Sequence, residues 1–394
     1  MRASLADAAL ARYAGRFVWL ELDYDKEVNQ PFIARHGVQW TPTLLVLDAA
    51  AERVTAQHAG GMTIAELSQF LERGERGAAA AGAPDAAHAG DAGDAAHAGH
   101  AAGAGDGAGA GDAALARGDA LAGAGRHAEA AAAYREALRI GGGDWRARAR
   151  AADAMTSALL LAGDERACAE AATAYAPAAP RDRVFVRVVG AGLGCANDGG
   201  AAPWAVAARK TLAPLADEGL AVGGALRDNR FFLFQQLTAS ALLAHDDATA
   251  RRIGHRWLAE LDATRPADDD ERSALDIARV DAVSLLDEPE RALPALAASE
   301  RAMPKNYSAA MRHAEVAADA RHWDEALAAC THGLALVDGT MGRTRLLWIR
   351  ARALAGKHDD AAARRAVDEG LRSAQKIPSE RVRQSYVHKL QSIR

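Results

Sequence analysis

The side chains with the greatest chemical potential in this sequence are three cysteines, Cys168, Cys195 and Cys330. They are odd in number and widely spaced, and they form neither a CxxC pair nor the spacing of a zinc site. None lies within residues 1–167. The spacing therefore predicts no disulfide framework and no thiol–disulfide chemistry, and it is compatible with a reducing compartment. We expect Cys330 to be a small buried apolar residue.

Histidines offer the next chemistry. His88, His97 and His100 lie among Ala, Gly and Asp residues, where a metal site is the alternative to a solvated tether. We predict the tether, because no folded element fixes these side chains as ligands. The run GAGLGCANDGG (190–200) lacks the GxxxxGK[ST] pattern of a phosphate-binding loop, and HExxH and GxSxG are absent. We predict no catalytic residue, no metal site and no cofactor, and we expect no enzymatic activity of the chain itself.

Composition narrows the class of protein. Of 394 residues, 50% are apolar but only 5% are aromatic. Much of the apolar fraction is alanine, which favours helices and close helix–helix contacts. The net charge of −5 gives no electrostatic reason to expect nucleic acid as a partner. No apolar stretch approaches the roughly 18 residues that a membrane span needs.

The chain divides into regions of different periodicity. Residues 1–77 alternate strand and helix signals, with strands predicted over 17–25, 43–47 and 53–58. Residues 78–112 are Ala, Gly, Asp and His, a composition typical of a disordered linker. Residues 113–377 are helical throughout, apart from an irregular insertion predicted near 181–224. Residues 378–394 suit a polar C-terminal cap helix.

The helical region repeats itself. GRHAEAAAAYREALRI (125–140), ARHWDEALAACTHGLAL (320–336) and GKHDDAAARRAVDEGL (356–371) are variants of one unit. Each contains a turn residue, an acidic residue and then a small alanine. A fourth unit and a looser fifth one contain the same residue types in the same order. The alanines are Ala130, Ala167, Ala292, Ala326 and Ala361. The last three are 34 and 35 residues apart, which indicates stacked repeats.

This pattern resembles the tetratricopeptide (TPR) family, in which two antiparallel helices make a 34-residue unit. The matching residues of the first unit are Gly118, Leu121, Ala130, Tyr134 and Ala137. Pro304 stands where the family ends its second helix. The resemblance implies an all-α solenoid that binds proteins or peptides in a groove lined by first helices. The family's groove positions fall on Asp119, Asp281, Glu315, Arg343 and Arg350, and the family's carboxylate clamp is not apparent.

Residues 17–76 resemble the later part of a thioredoxin domain. The strand ending in Asp23-Tyr24-Asp25, the helix closed by ARHGV (34–38) and the sequence Trp40-Thr41-Pro42 carry this resemblance. It implies a cis-proline loop that binds substrate through Trp40, Thr41 and Pro42. The predicted fold class is thus a partial α/β thioredoxin-like domain joined to an all-α TPR-like solenoid.

The thioredoxin-like segment lacks the family's CxxC and the strands before it. Two explanations stay open. In the first, Met1 is an internal methionine and the true start lies upstream; in the second, the domain has decayed into an interaction remnant. The functional hypotheses follow from them. One is a protein-interaction scaffold with an inactive thioredoxin-like segment; the other is a fragment of a thiol–disulfide oxidoreductase. The chain as given suits the cytoplasm, and a lost signal peptide would make it periplasmic or secreted.

Overall fold

The computed structural model describes residues 8–22, 26–36, 38, 43–59, 62, 64–81 and 106–393. These residues form two compact units. Unit 1 comprises the described residues of 1–17 and 36–247, and unit 2 comprises those of 18–35 and 248–394. Within the described ranges, no helix is both long enough and apolar enough to cross a membrane.

The N-terminal part of unit 1 is a hairpin covered by a helix. Strands β1 (Thr43–Asp48) and β2 (Arg53–Ala59) pair antiparallel, with Thr43 opposite Ala59. Helix α2 (Ile64–Ala81) packs on both strands. The sequence predicts both strands and a helix over TIAELSQFLERGE (63–75), and all three are confirmed. Their shared core contains Leu10, Tyr13, Val46, Ala56, Met62, Leu67, Phe70 and Leu71.

The strand predicted at 17–25 is not formed in the described residues 17–22. Val18 is 87% exposed and Leu20 is 75% exposed. The two-stranded sheet described here consists of β1 and β2 alone, so residues 17–22 belong to no ladder. Because a strand is stabilised by its ladder partners, alternation by itself does not make one here. A short helix, α1 (Gln30–Arg35), follows in unit 2.

The remainder of the described chain is helical. Its helices in order are α3 (Asp106–Gly123), α4 (His127–Gly141), α5 (Arg148–Ala162), α6 (Glu165–Tyr175), α7 (Arg183–Asp198), α8 (Pro203–Gly219), α9 (Arg227–Leu243), α10 (Asp247–Ala263), α11 (Asp269–Leu286), α12 (Leu293–Ala302), α13 (Tyr307–Asp319), α14 (Trp323–Leu336), α15 (Thr340–Gly356), α16 (Asp360–Ala374) and α17 (Glu380–Gln391). Consecutive helices pack as pairs. In unit 1 the pairs are α3/α4, α5/α6 and α7/α8; in unit 2 they are α11/α12, α13/α14 and α15/α16. This is the architecture of a helical-repeat protein.

Two predicted boundaries change. Helix α2 continues to Ala81 and α3 begins at Asp106, so both ends of the predicted linker 78–112 are helical. Residues 82–105, with His88, His97 and His100, lie outside the described residues. The predicted irregular insertion, 181–224, contains the pair α7/α8. The glycines of this run suggested an irregular segment, but several of them allow close contacts between helices of the array.

Glycines mark the closest helix approaches in unit 1. A Cβ on Gly118 would lie 2.4 Å from the ring of Tyr134, so α3 and α4 meet where the TPR resemblance places these two residues. A Cβ on Gly192 of α7 would lie 2.1 Å from the Cβ of Ala172 on α6. The glycine-rich run therefore fits a packing role, with α7 in contact with α6, α8 and α9.

The repeat alanines differ in burial. Ala130, Ala292 and Ala326 are fully buried, and Ala167 is half-buried. Ala361, in the first turn of α16, is exposed, and Ala363 is buried there instead. Helix α12 ends at Ala302, two residues before Pro304, as predicted.

Cys168 and Cys195 form a disulfide, which the sequence analysis did not expect. Their Cα atoms are 6.1 Å apart and both residues are fully buried, between α6 and α7. The two cysteines are 27 residues apart, so no local sequence pattern indicates the bond. They meet because Cys168 lies near the start of α6 and Cys195 near the end of the antiparallel helix α7. Disulfides are typical of oxidising compartments, so the cysteine pattern does not favour a reducing one. Cys330 is free and buried, as predicted, and burial raises its pKa to about 12.

Candidate partner-binding face

The first helices of the pairs in unit 1 carry charged residues at one repeating position. Asp119 of α3, Asp153 of α5 and Arg187 of α7 follow one another at intervals of 34 residues. Asp119 was a predicted groove residue, and Asp153 and Arg187 were missed. Their 34-residue spacing was visible in the sequence. We call the surface that these helices share the first-helix face of unit 1.

Arg187 of this face pairs with two carboxylates. Its guanidinium donates to Asp153 at 2.7 Å and to Glu66 of α2 at 2.5 Å. The three side chains are between 17% and 28% exposed. Burial opposes the charge of Arg187, but the two carboxylates outweigh it and raise its pKa. Both acids are held by one cation.

The carboxylate of Asp119 also has two polar partners. It accepts a hydrogen bond of 3.1 Å from the hydroxyl of Tyr134 and pairs with Arg150 of α5. Burial and the neighbouring Asp119 raise the pKa of Tyr134, which keeps the hydroxyl protonated as the donor. Arg150 therefore joins adjacent first helices, as Arg187 does one pair further on.

The first helices of unit 2 repeat this arrangement. Asp281 of α11 and Glu315 of α13, both predicted groove residues, are also 34 residues apart. Arg345 of α15 donates to Glu315 at 2.5 Å. Burial raises the pKa of Asp281 to about 6, with the charge of Arg345 opposing and that of Glu315 adding to the rise. Asp281, Glu315 and Arg345 define the first-helix face of unit 2.

The other two predicted groove residues, Arg343 and Arg350, also lie on a first helix, α15. Arg343 of α15 donates to Glu369 of the second helix α16 at 2.7 Å. Arg350 is exposed and its charge acts on the thiol of Cys330 in the second helix α14. Their assignment to the groove stays a prediction.

A chain of alternating histidines and glutamates runs between α12, α13 and α14. His313 contacts Glu300 at 2.5 Å through Nδ1 and Glu325 at 2.9 Å through Nε2. His332 donates to Glu300 at 2.6 Å and to the carbonyl of Pro304 at 2.9 Å. Because both nitrogens of each ring meet acceptors, the geometry favours the imidazolium form of both rings.

The pKa directions of this chain agree with its geometry. Burial opposes the charge of His313, but its hydrogen bonds to Glu300 and Glu325 prevail and raise its pKa. The hydrogen bonds to Glu300 and Pro304 raise the pKa of His332. The pKa values of Glu300 and Glu325 are lowered, in Glu300 chiefly by the hydrogen bond from His313 and in Glu325 by His313 and His322 against the effect of burial. Among the described residues, no group of three His, Cys, Asp or Glu is placed to hold a metal ion.

A buried polar cluster lies behind the first-helix face of unit 2. Asp276 of α11 is 1% exposed and accepts a 3.0 Å hydrogen bond from Ser299. Arg279, also buried, lies 3.4 Å from the same oxygen and donates to the carbonyl of Leu261. Burial raises the pKa of Asp276 against the charges of the surrounding arginines. This cluster joins α10, α11 and α12 from within.

The predicted cis-proline loop, Trp40, Thr41 and Pro42, lies outside the described residues. The hairpin and α2 that follow it are present, but a two-stranded sheet alone does not establish a thioredoxin-like domain.

Comparison with known proteins finds similar solved structures. No family model matches the chain, and no curated protein matches it. A tetratricopeptide repeat protein from Parabacteroides merdae has a similar solved structure, with 7% identity and a TM-score of 0.46 over 72% of this chain and 99% of that one. The TPR2AB domain of yeast Sti1, in a complex with pHSP90, covers 71% of this chain and 98% of its own length at 13% identity and a TM-score of 0.26. At these scores the assignment as a helical-repeat protein rests on the helix pairs themselves.

Proposed function

We propose that this chain is a protein-interaction scaffold of the TPR-like class, in which the first-helix faces bind segments of partner proteins. The observation that carries the proposal is the repetition of half-buried charged side chains at one position of successive first helices. Asp119, Asp153 and Arg187 form one such series, and Asp281 and Glu315 form another.

The placement of these charges favours recognition over packing alone. A half-buried ion pair contributes little net stability, because desolvation offsets most of its attraction. Replacing both members of such a pair by apolar residues of similar volume often leaves stability unchanged or raises it. Fixed charges on a surface instead select partners by electrostatic complementarity. Ile277, which is 52% exposed, lies one turn before Asp281 on α11 and would add an apolar contact beside the charges.

The N-terminal segment is proposed as an accessory interaction element. If the thioredoxin-like resemblance holds, Trp40, Thr41 and Pro42 would contact extended peptide without any redox step, since residues 1–167 contain no cysteine. We expect the 394-residue protein not to reduce insulin disulfides. Catalytic reduction would support the rival hypothesis of an oxidoreductase fragment.

The scaffold proposal can be tested by site-specific crosslinking. A photoreactive amino acid placed at Ile277 should crosslink to a partner protein in the source cells. The same group at Ala298, which is exposed on the second helix α12, is the matched control. The partner identified in this way is then purified and its dissociation constant for the intact chain measured, with and without the substitution Glu315→Ala.

The expected result is a crosslink at position 277 that is absent at position 298, and binding that Glu315→Ala weakens by about tenfold. Equal crosslinking at both positions, or an unchanged dissociation constant, would contradict the assignment of the first-helix face. The assignment would also be contradicted if the control chain, with the photoreactive residue at position 298, lost all binding.

A further inference from the structure

Helix α2 lies against the first-helix face of unit 1. Two contacts and one electrostatic interaction relate the hairpin–helix segment, residues 43–81, to the first helices α7, α5 and α3. All of these elements belong to unit 1. Each of the three joins a residue of this segment to the repeats.

The beginning of α2 is held at α7. Glu66, in the first turn of α2, accepts a hydrogen bond of 2.5 Å from Arg187, whose other nitrogens bind Asp153 of α5. Glu66 is 28% exposed and Arg187 is 19% exposed. A carboxylate in the first turn is also favoured by the helix dipole. The contact joins residues 121 positions apart, so it is a tertiary contact and no consequence of local sequence.

The middle of α2 faces α5 and α3. Arg73 is half-buried, and burial together with the charge of Arg150 lowers its pKa, while Asp119 raises it. Arg73 is thus within electrostatic range of the two residues that join α3 to α5. Asp119 is the residue that the repeat pattern had marked as a groove position.

The end of the segment contacts α3 through strand β2. A Cβ on Gly123, the last residue of α3, would lie 2.9 Å from the carbonyl oxygen of Thr55. A Cβ on Gly77 of α2 would lie 3.2 Å from the same oxygen. The backbone of β2 is therefore close to both helices, and glycine at position 123 is what permits the approach.

The length of α2 agrees with the distance across three neighbouring first helices. Glu66 and Gly77 are 11 residues apart, or about 16 Å along a helix. Neighbouring packed helices are about 8–10 Å apart, so three first helices extend over a similar distance. The segment thus meets α7 through Glu66 and α3 through strand β2, and the charges of Arg150 on α5 and Asp119 on α3 act on Arg73 between them.

We propose that the hairpin–helix segment is an intramolecular ligand of the first-helix face of unit 1, and that a partner protein gains this face by displacing it. The inference rests on the proposed function, because it assumes that this face binds protein segments. The contacts define the chemistry of the displacing partner. It is a helix with a carboxylate in its first turn, for Arg187, and a cationic side chain seven residues later, beside Asp119.

The proposal is tested by cutting the full chain within residues 82–105. A protease site is inserted there, the purified chain is cleaved, and the dissociation constant between the two pieces is measured by dilution and size exclusion. We expect the pieces to remain associated and to separate as salt is raised. Glu66→Gln and Gly123→Ala should each weaken the association by about tenfold or more.

Two matched controls separate docking from general stability. Glu75→Gln alters a carboxylate on the same helix that pairs with Arg16 of the N-terminal segment. Gly109→Ala adds a methyl group to the same helix as Gly123, at a position with nothing within 4 Å. Both controls should leave the dissociation constant unchanged. Immediate separation of the wild-type pieces, or equal effects of the test and control variants, would overturn the proposal.

Competition is tested by label transfer. Cleaved chain with a fluorophore on its N-terminal piece is mixed with an excess of intact chain. The label should move to intact chains that carry Glu66→Arg, whose own segment is repelled by Arg187, and not to intact wild-type chains. Equal transfer to both would show that the wild-type face is unoccupied and would overturn the proposal. Because neither experiment uses an outside partner, failure here leaves the scaffold function of unit 2 standing.

Discussion

Arg187 binds Asp153, the residue 34 positions before it, with its two nitrogens Nε and Nη2. One repeat period therefore separates the two members of the pair, and the pair joins the first helices of adjacent repeats. In unit 2, Arg345 and Glu315 join α15 to α13 in a related way. Charge pairs between first helices thus recur in both units.

Loss of Asp153 should destabilise unit 1. The substitution Asp153→Ala leaves the half-buried Arg187 with Glu66 as its one remaining carboxylate partner among the described residues, and a broken pair of this kind costs about 1–3 kcal/mol. Urea unfolding followed by circular dichroism measures the change in midpoint. Asp144→Ala, at an exposed position, is the control and should change the midpoint little. Equal midpoints for the two variants would contradict the structural role of the pair.

Adding a methyl group at Gly192 should destabilise the contact between α6 and α7. Its Cβ would lie 2.1 Å from that of Ala172, so the helices must move apart, at a cost of about 1–3 kcal/mol. Gly109→Ala should stabilise the protein instead, by up to about 1 kcal/mol, because alanine is the better helix former and the site is open. Thermal unfolding of the two variants compares them directly. Stabilisation by Gly192→Ala would show that the helices are further apart than described.

Removal of the disulfide should lower the free energy of unfolding by about 3 kcal/mol, as expected for closing a loop of this length. The double variant Cys168→Ala/Cys195→Ala tests this in guanidinium. Because both cysteines are fully buried, dithiothreitol should act on the wild-type protein only after unfolding. The double variant should not respond to the reductant at all, whereas Cys330→Ala should respond as the wild type does. A double variant as stable as the wild type would argue that the cysteines are reduced in the native protein.

The His–Glu chain of unit 2 should make its stability depend on pH. The pKa values of His313 and His332 are raised, so their contribution is present below their ordinary value of 6.5 and is lost as pH rises through the folded values. The pKa values of Glu300 and Glu325 are lowered, so their contribution is present above 4.5 and is lost as pH falls through the folded values.

Unit 2 should therefore be most stable between the pH at which the two glutamates are protonated and the pH at which the two histidines lose their charge. We expect a higher thermal midpoint at about pH 5.5 than at about pH 8.5. His313→Gln should reduce this difference, because glutamine cannot carry the charge that joins the two glutamates. His388→Gln, at an exposed position on α17, is the control. If His313→Gln left the pH profile unchanged, His313 would not be a group responsible for the pH dependence.

The sequence by itself determined the helical repeats, the hairpin and the helix that covers it. Gly118, Tyr134 and Ala130 mark a close crossing of two helices, and such crossings depend on residue size at fixed spacing, which a sequence displays. The same regularity identified Asp119, Asp281 and Glu315 on first helices. It also contained Asp153 and Arg187, although their charges differ and the series was not recognised.

The tertiary structure alone decided which distant residues meet. Cys168 and Cys195 are bonded across 27 residues, and Glu66 meets Arg187 across 121. No local pattern encodes either contact, because each depends on how whole helices pack. The alternating residues 17–22 show the converse: their pattern favours a strand, yet they form none, since a strand is stabilised by partners that its own sequence does not supply.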